Sequence, residues 1–173
     1  MCGIVLRATF LLAFVLNVLY VCTHACPSAV CHFSWTPYNY PNPKTESGLC
    51  GRYCMPTFVC DPCHLLSNIT ANEIDQLVSD VFINAVICSG TDIQNYRIAV
   101  AVINKIDTSK FSVTAEEYIP KFVATLREQG WNYGHGDCGN DIIIFISEVD
   151  KDFYTFVGDA ASKVLSSDCI YLV

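Results

Sequence analysis

The residues best equipped for chemistry in this chain are cysteines, histidines and aspartates, and their spacing decides what each could do. Cys60-Asp61-Pro62-Cys63 stands ahead of a helical pattern. In that arrangement a helix N-terminus can lower a thiolate pKa and two thiols can exchange through a disulfide. The next helix start lies several residues beyond Cys63, however, and Cys50 and Cys54 offer structural partners, so cross-linking is the better reading. A zinc site from Cys50, Cys54, Cys60 and Cys63 has a spacing that matches no common pair of knuckles. Gly134, Gly136 and Gly139 satisfy G-x-G-x-x-G but follow a helix and feed a strand, the reverse of a dinucleotide fingerprint. Asp150 and Asp152 faintly resemble a phosphatase nucleophile pair, yet no threonine or valine follows at the expected place, and a solvated turn explains them better. His32, His64 and His135 fall on three separate segments with no serine or cysteine motif to pair with, so no nucleophilic triad assembles and the enzyme case is thin.

A cation site has more geometric content. Strands rise about 3.3 Å per residue, so a hairpin after the strand that begins at Asp141 returns Asp159 to its side. With Asn140 and Asp61, these carboxylates would supply the oxygen ligands that calcium prefers, although solvated carboxylates and helix caps are the commoner explanation. Asn68-Ile69-Thr70 is the only glycosylation sequon and is expected on the surface just before a helix.

These residues sit in a chain that reads as secreted. Arg7 precedes an almost wholly apolar run from Ala8 to Cys22, and Thr23-His24-Ala25 supplies small residues for a peptidase site. Residues 1–25 are expected to be a cleaved signal peptide, since the run is short for a spanning helix; an uncleaved anchor is the alternative. Cleavage removes Cys2 and Cys22 and leaves nine of the eleven cysteines: Cys26, Cys31, Cys50, Cys54, Cys60, Cys63, Cys88, Cys138 and Cys169. At this density in an oxidising compartment they are disulfide candidates, with one residue over and no connectivity legible. A net charge of -7 and no run of Lys or Arg argue against nucleic acid or anionic membrane surfaces as partners. No second apolar segment of spanning length follows the signal peptide.

The elements that position the candidates follow from pattern. Residues 26–59 form a cysteine-rich, loop-rich segment in which Pro37, Pro41 and Pro43 disfavour helix and disulfides stand in for a core. Thr57 to Cys60 reads as a first strand. Thr70-Ala71-Asn72-Glu73 is a capping box, stapled by Ile69 and Ile74. It opens a helix whose stripe of Ile74, Leu77, Val78, Val81, Phe82 and Ala85 faces a core and which ends near Cys88-Ser89-Gly90. Tyr96 to Ile103 and Asp141 to Ser147 are too continuously apolar for one wet face, so both are central strands. Between them, Thr114-Ala115-Glu116-Glu117 caps a helix running toward Arg127, with Pro120 expected to kink it or shift its start. Asp150-Lys151-Asp152 turns the chain into an antiparallel return over Phe153 to Val157, and Asp159 could cap a last helix. The fold class is α/β: a mixed sheet with helices packed on it, behind a disulfide-rich loop segment.

Cys60-Asp61-Pro62, Leu65-Leu66-Ser67, Ile98 to Val102, Trp131, Cys138-Gly139-Asn140-Asp141 and Tyr154-Thr155-x-Val157-Gly158 together resemble the TPM domain superfamily. Within it the chain is most similar to the extracellular levamisole-receptor-modulator branch, from Cys60 to about Leu165. The resemblance implies a TPM-like α/β sandwich over residues 60–173. It also implies a non-enzymatic role at the cell surface, as an auxiliary protein that modulates a nicotinic acetylcholine-type receptor. Members of that branch usually carry a transmembrane helix after the domain; this chain shows none, and the domain's C-terminal part is expected to be missing. Plant relatives are associated with acid phosphatase activity and cation binding, which makes a metal-dependent phosphatase the alternative, and a secreted structural domain of unknown partner is a third reading.

Overall fold

The computed structural model describes residues 27–53, 55–82, 85–89, 91–131, 133 and 138–164. The expected signal peptide, Cys26, Cys54, Cys169, Gly134, His135 and Gly136 lie outside them. In chain order the elements are β1 (Val59–Cys60), α1 (Asn68–Phe82), β2 (Ala85–Ser89), β3 (Asp92–Asn95), β4 (Arg97–Ile103) and α2 (Ala115–Thr125). A π-helical stretch, Leu126–Trp131, continues α2 and is followed by β5 (Asp141–Ser147), β6 (Asp152–Val157) and α3 (Asp159–Ser162).

The two apolar runs become the central strands for the reason their composition suggests. The main sheet has the order β1-β4-β5-β6, with β1, β4 and β5 parallel and β6 antiparallel. Side chains alternate across it, so odd positions of β4 and β5 meet one layer and even positions another. Ala99, Ala101, Ile103, Ile143 and Phe145 pack against Tyr118, Ile119, Phe122, Val123 and Leu126 from α2 and its extension. On the opposite face Val59, Val100 and Val102 meet Ala71, Leu66 and Ile74, while Ile98 and Ile142 meet Val86, Tyr96, Ala160 and Ala161. Both faces are covered, which is what near-continuous hydrophobic strands require. The mixed sheet with helices on it is the expected fold class.

Local signals succeed where nothing competes with them. The Thr114 capping box forms as expected, with the Glu117 N–H donating to Thr114 Oγ1 at 3.3 Å and the Thr114 N–H to Glu117 Oε2 at 2.9 Å. Pro120 neither shifts that start nor ends the helix; it lies on the exposed side, and the ladder relaxes only later into i→i+5 turns over Leu126–Trp131. The first helix differs from expectation at both ends. It begins at Asn68 because Ser67, a good cap three residues earlier, accepts the Thr70 N–H at 3.1 Å, so Thr70 sits within the helix. It ends at Phe82, and the Val86-Ile87-Cys88 run that had looked helical pairs with Asp92–Asn95 as a two-stranded ribbon, tied by a Cys88–Cys138 disulfide. The predicted core stripe is only partly used: Val78 is buried and Ile74 half-buried, but Leu77 is 65% and Val81 39% exposed. The last helix, too, starts on Gly158 rather than on Asp159, which occupies its first turn.

The cysteine-rich segment shares the sheet's core. Trp35 and Tyr40 lie in the cluster that holds Ile103 and Phe122, and the Trp35 N–H donates to Lys105 O at 2.9 Å while its carbonyl accepts from Asp107 N–H at 2.8 Å. The Tyr40 hydroxyl donates to Cys60 O at 2.6 Å and accepts from the Val102 N–H at 3.1 Å. It thereby occupies the place of a strand partner just where two-residue β1 ends, and burial raises its pKa well above the usual phenol value. Asp75 of α1 fastens the same region, accepting from the Thr57 hydroxyl and Phe58 N–H, each at 2.8 Å, and pairing with Arg52. Residues on both sides of position 60 thus share one hydrophobic cluster.

Candidate functional site

The oxygen ligands expected around a cation start from Cys138-Gly139-Asn140-Asp141, and each residue of that motif has a structural occupation. Cys138 is bonded to Cys88. Gly139 has φ 65°, a Cβ on it would strike Asp159 N and a Cβ on Gly158 would strike the Gly139 backbone, and the Gly139 carbonyl accepts from the Ala160 and Ala161 N–H groups at 3.0 Å each. Asn140, fully buried, donates its side-chain amide to Asn95 O at 2.7 Å, and its carbonyl accepts from Arg97 N–H. Asp141 is fully buried, and its carboxylate takes both the Nε and the Nη2 of Arg127, the latter at 3.0 Å.

The hairpin does return Asp159 beside Asp141, since Gly158 N–H donates to Asp141 O at 2.8 Å, but the cation paired with the Asp141 carboxylate is Arg127. Its pKa is raised, first by the hydrogen bond to Asp141, and Asp159 adds to the attraction. The guanidinium also lies 4.9 Å from the Phe156 ring centroid. Asp61 is elsewhere. Cys60 is level with Ala101 and Asp141 with Arg97, which places Asp61 about 16 Å along the sheet from Asp141. Its two oxygens accept from Leu65 and Leu66 N–H at 3.0 and 2.7 Å. The four expected ligands thus do not converge, and among the described residues no group of three or more His, Cys, Asp or Glu is placed to hold a metal. Arg127 was the residue that sequence reasoning missed; a lone arginine near a helix end carries no sign of which buried acid it will meet.

The other chemical candidates also resolve into architecture. Cys60 and Cys63 bond to Cys50 and Cys31 and not to each other, so the C-x-x-C pair is two separate staples. Asp150 accepts from the Ile106 N–H at 2.8 Å and the Ser147 hydroxyl at 2.6 Å, tying the hairpin to the loop after β4. Asn68 is exposed in the first turn of α1.

The cysteine-rich segment carries a row of packed aromatic rings flanked by exposed ones. Trp35 meets His32 and Tyr40 edge to face, at 4.7 and 5.2 Å between centroids, and Tyr40 leads on to Trp131 and Tyr133. Trp131 donates its indole N–H to Pro41 O at 2.9 Å. Lys44 lies 4.0 Å from the Tyr133 ring centroid; burial and the nearby Arg97 lower its pKa, and burial raises that of the Tyr133 phenol. Outside this buried row, Phe33 and Tyr38 are 73% and 75% exposed. Two hollows flank it: one of 180 Å³ walled by Val30, His32, Trp35, Asn39, Pro41 and Leu49, and one of 270 Å³ between Phe33 and the Lys105–Ser109 loop. The sequence marked this stretch only as loop, although its aromatic density was the available signal.

Among the described residues no helix is long and apolar enough to cross a membrane, and three disulfides suit an oxidising, extracellular compartment. Neither a curated protein nor a solved structure matches the chain. A family model described as modulator of levamisole receptor-1 matches residues 35–151, from Trp35 through the turn after β5. That span takes in the aromatic row and the central strands together, and the chain belongs to the modulator of levamisole receptor-1 family.

Proposed function

We propose that this protein is an extracellular auxiliary module that binds a levamisole-type, acetylcholine-gated receptor at the cell surface and modulates its response. The observation that carries the reading is the family match over residues 35–151. Two features of the chain support a binding role: Asp141, the centre of the expected cation site, is paired with Arg127, and the cysteine-rich segment holds Phe33 and Tyr38 out in solvent. Tyrosine, tryptophan and phenylalanine are the residues over-represented at protein interfaces. The wider TPM relationship, secretion through a cleaved leader over residues 1–25 and glycosylation at Asn68 belong to the same proposal. The test is recovery of receptor subunits from intact cells with an epitope-tagged full chain. Enrichment over an unrelated ion channel at equal surface level is the expected result, and equal recovery of both would contradict the proposal.

A further inference from the structure

β6 is an outer strand of the main sheet, and it lacks the devices that usually blunt such an edge. Its six residues, Asp-Phe-Tyr-Thr-Phe-Val, include no proline and no lysine, and its register to β5 is unbroken. The ladder fixes which of its backbone groups are left over. The Gly158 N–H donates to Asp141 O one step beyond the Ile142–Val157 pair, so Phe156, Tyr154 and Asp152 turn their backbone groups toward β5. Those of Phe153, Thr155 and Val157 therefore point away from it. The Phe153 N–H is held by Asp152 Oδ1 at 2.9 Å, while no described residue is bonded to the outward groups of Thr155 or Val157. The Phe153 ring stands 49% exposed beside them.

We propose that β6 is a self-association edge, pairing antiparallel with β6 of a second copy of this chain about a two-fold axis through Thr155. The strand is complementary to itself in that register, and no other register engages the three outward residues of both copies. Thr155 then opposes Thr155 and Phe153 opposes Val157 on one face, while Tyr154 opposes Phe156 on the other. Hydroxyl, aromatic–β-branched and aromatic pairs of these kinds stabilise antiparallel sheets. No like charges meet: Asp152 falls opposite Gly158, and one step further Lys151 comes level with Asp159 of the second copy, base against acid at both ends of the pair. The Thr155 and Val157 N–H groups give two new ladder bonds from each copy without rearrangement, and the two four-stranded sheets continue into each other. A two-fold axis closes the assembly, so the edge is consumed and no fibre grows from it. The edge is independent of the receptor reading, because its free backbone groups exist whatever the rest of the surface binds.

The full chain, expressed through an oxidising secretory pathway, is followed by sedimentation velocity from about 1 µM to about 1 mM. A reversible monomer–dimer equilibrium with Kd on the order of 10–100 µM is expected, since one strand pair buries less than a standard interface. Amide hydrogen exchange is then compared at the two ends of that range. Thr155 and Val157 should slow by roughly 5- to 15-fold in the concentrated sample, the reciprocal of the monomer fraction at that Kd. Tyr154 and Phe156, bonded to β5 in either state, should not change. Thr155→Lys and Thr155→Glu each set like charges opposite one another on the axis and should weaken dimerisation about 10-fold or more, whereas an equal mixture of the two should recover a heterodimer. The wild-type exchange needs no variant, so it decides the matter even where a substitution unfolds the chain. A chain still monomeric at about 1 mM, a dimer whose Thr155 and Val157 amides exchange as fast as in the monomer, or folded charge variants that dimerise alone as well as mixed would each overturn the proposal. Protection of those two amides only on adding receptor-bearing membranes would assign the edge to a receptor strand and overturn self-pairing.

Discussion

Replacing Arg127 by methionine should destabilise the protein far more than an exposed charge normally could. The Asp141 side chain is 0% exposed and that of Arg127 23%, so the substitution strands a buried carboxylate with no counter-charge. Breaking such a pair from one side costs about 3–5 kcal/mol. Asp141→Asn removes the buried charge and leaves an arginine that can still reach water and the Phe156 ring, so about 1–2 kcal/mol is expected for the lost charge-assisted hydrogen bonds. The double variant buries neither charge and should resemble Asp141→Asn alone, which gives a coupling of about 3–5 kcal/mol. Urea unfolding followed by tryptophan fluorescence reads this directly. With a slope of about 2 kcal/mol/M, Arg127→Met should move the midpoint down by roughly 2 M. Additive effects, or a shift below 0.5 M for Arg127→Met, would show that the ion pair does not hold this corner. A rise of several degrees in the wild-type melting temperature with calcium, reversed by EDTA, would show the acids holding a cation in its place.

Three further outcomes follow from the same geometry. Cys88→Ala with Cys138→Ala opens a loop of 50 residues, for which chain entropy gives about 4 kcal/mol, and calorimetry should show a matching fall in melting temperature; an unchanged Tm would mean the ribbon is held by packing alone. Burial raises the phenol pKa of Tyr40, Tyr118 and Tyr133 in the folded state. The linked stability is therefore fully present below the unfolded value of about 10 and falls as pH rises above it, and absorbance at 295 nm should show a set of phenols ionising only with unfolding; a single transition near pH 10 would contradict this. Secreted protein should lose mass on N-glycosidase treatment and Asn68→Gln should remove the difference, whereas a glycan persisting in that variant would contradict use of the sequon.

How far sequence reached depended on how local the deciding physics was. β4 and β5 were legible because a strand covered on both faces must be apolar throughout, and α2 because Thr114 and Glu117 satisfy each other's backbone within four residues. The same logic misplaced the start of α1, where Thr70 reads as the cap but Ser67, three residues earlier, accepts the Thr70 N–H. The β2–β3 ribbon was missed because Val86 and Cys88 fit a helical stripe equally well, and only a distant disulfide and Tyr96 decide the matter. Tyr40 standing in for a strand, Arg127 reaching Asp141, and Trp35 left without an acceptor all depend on contacts between segments 14 to 71 residues apart. No local pattern encodes those, so the disulfide pairing and the packing of the aromatic row emerged only from the fold.

Modulation of a receptor is read from the agonist-evoked current. Cells expressing a levamisole-sensitive acetylcholine-gated channel, with and without the full chain, are compared at equal receptor surface level. A changed current amplitude or agonist sensitivity is expected in the presence of the chain. An unchanged response, with the protein shown to reach the cell exterior, would contradict it.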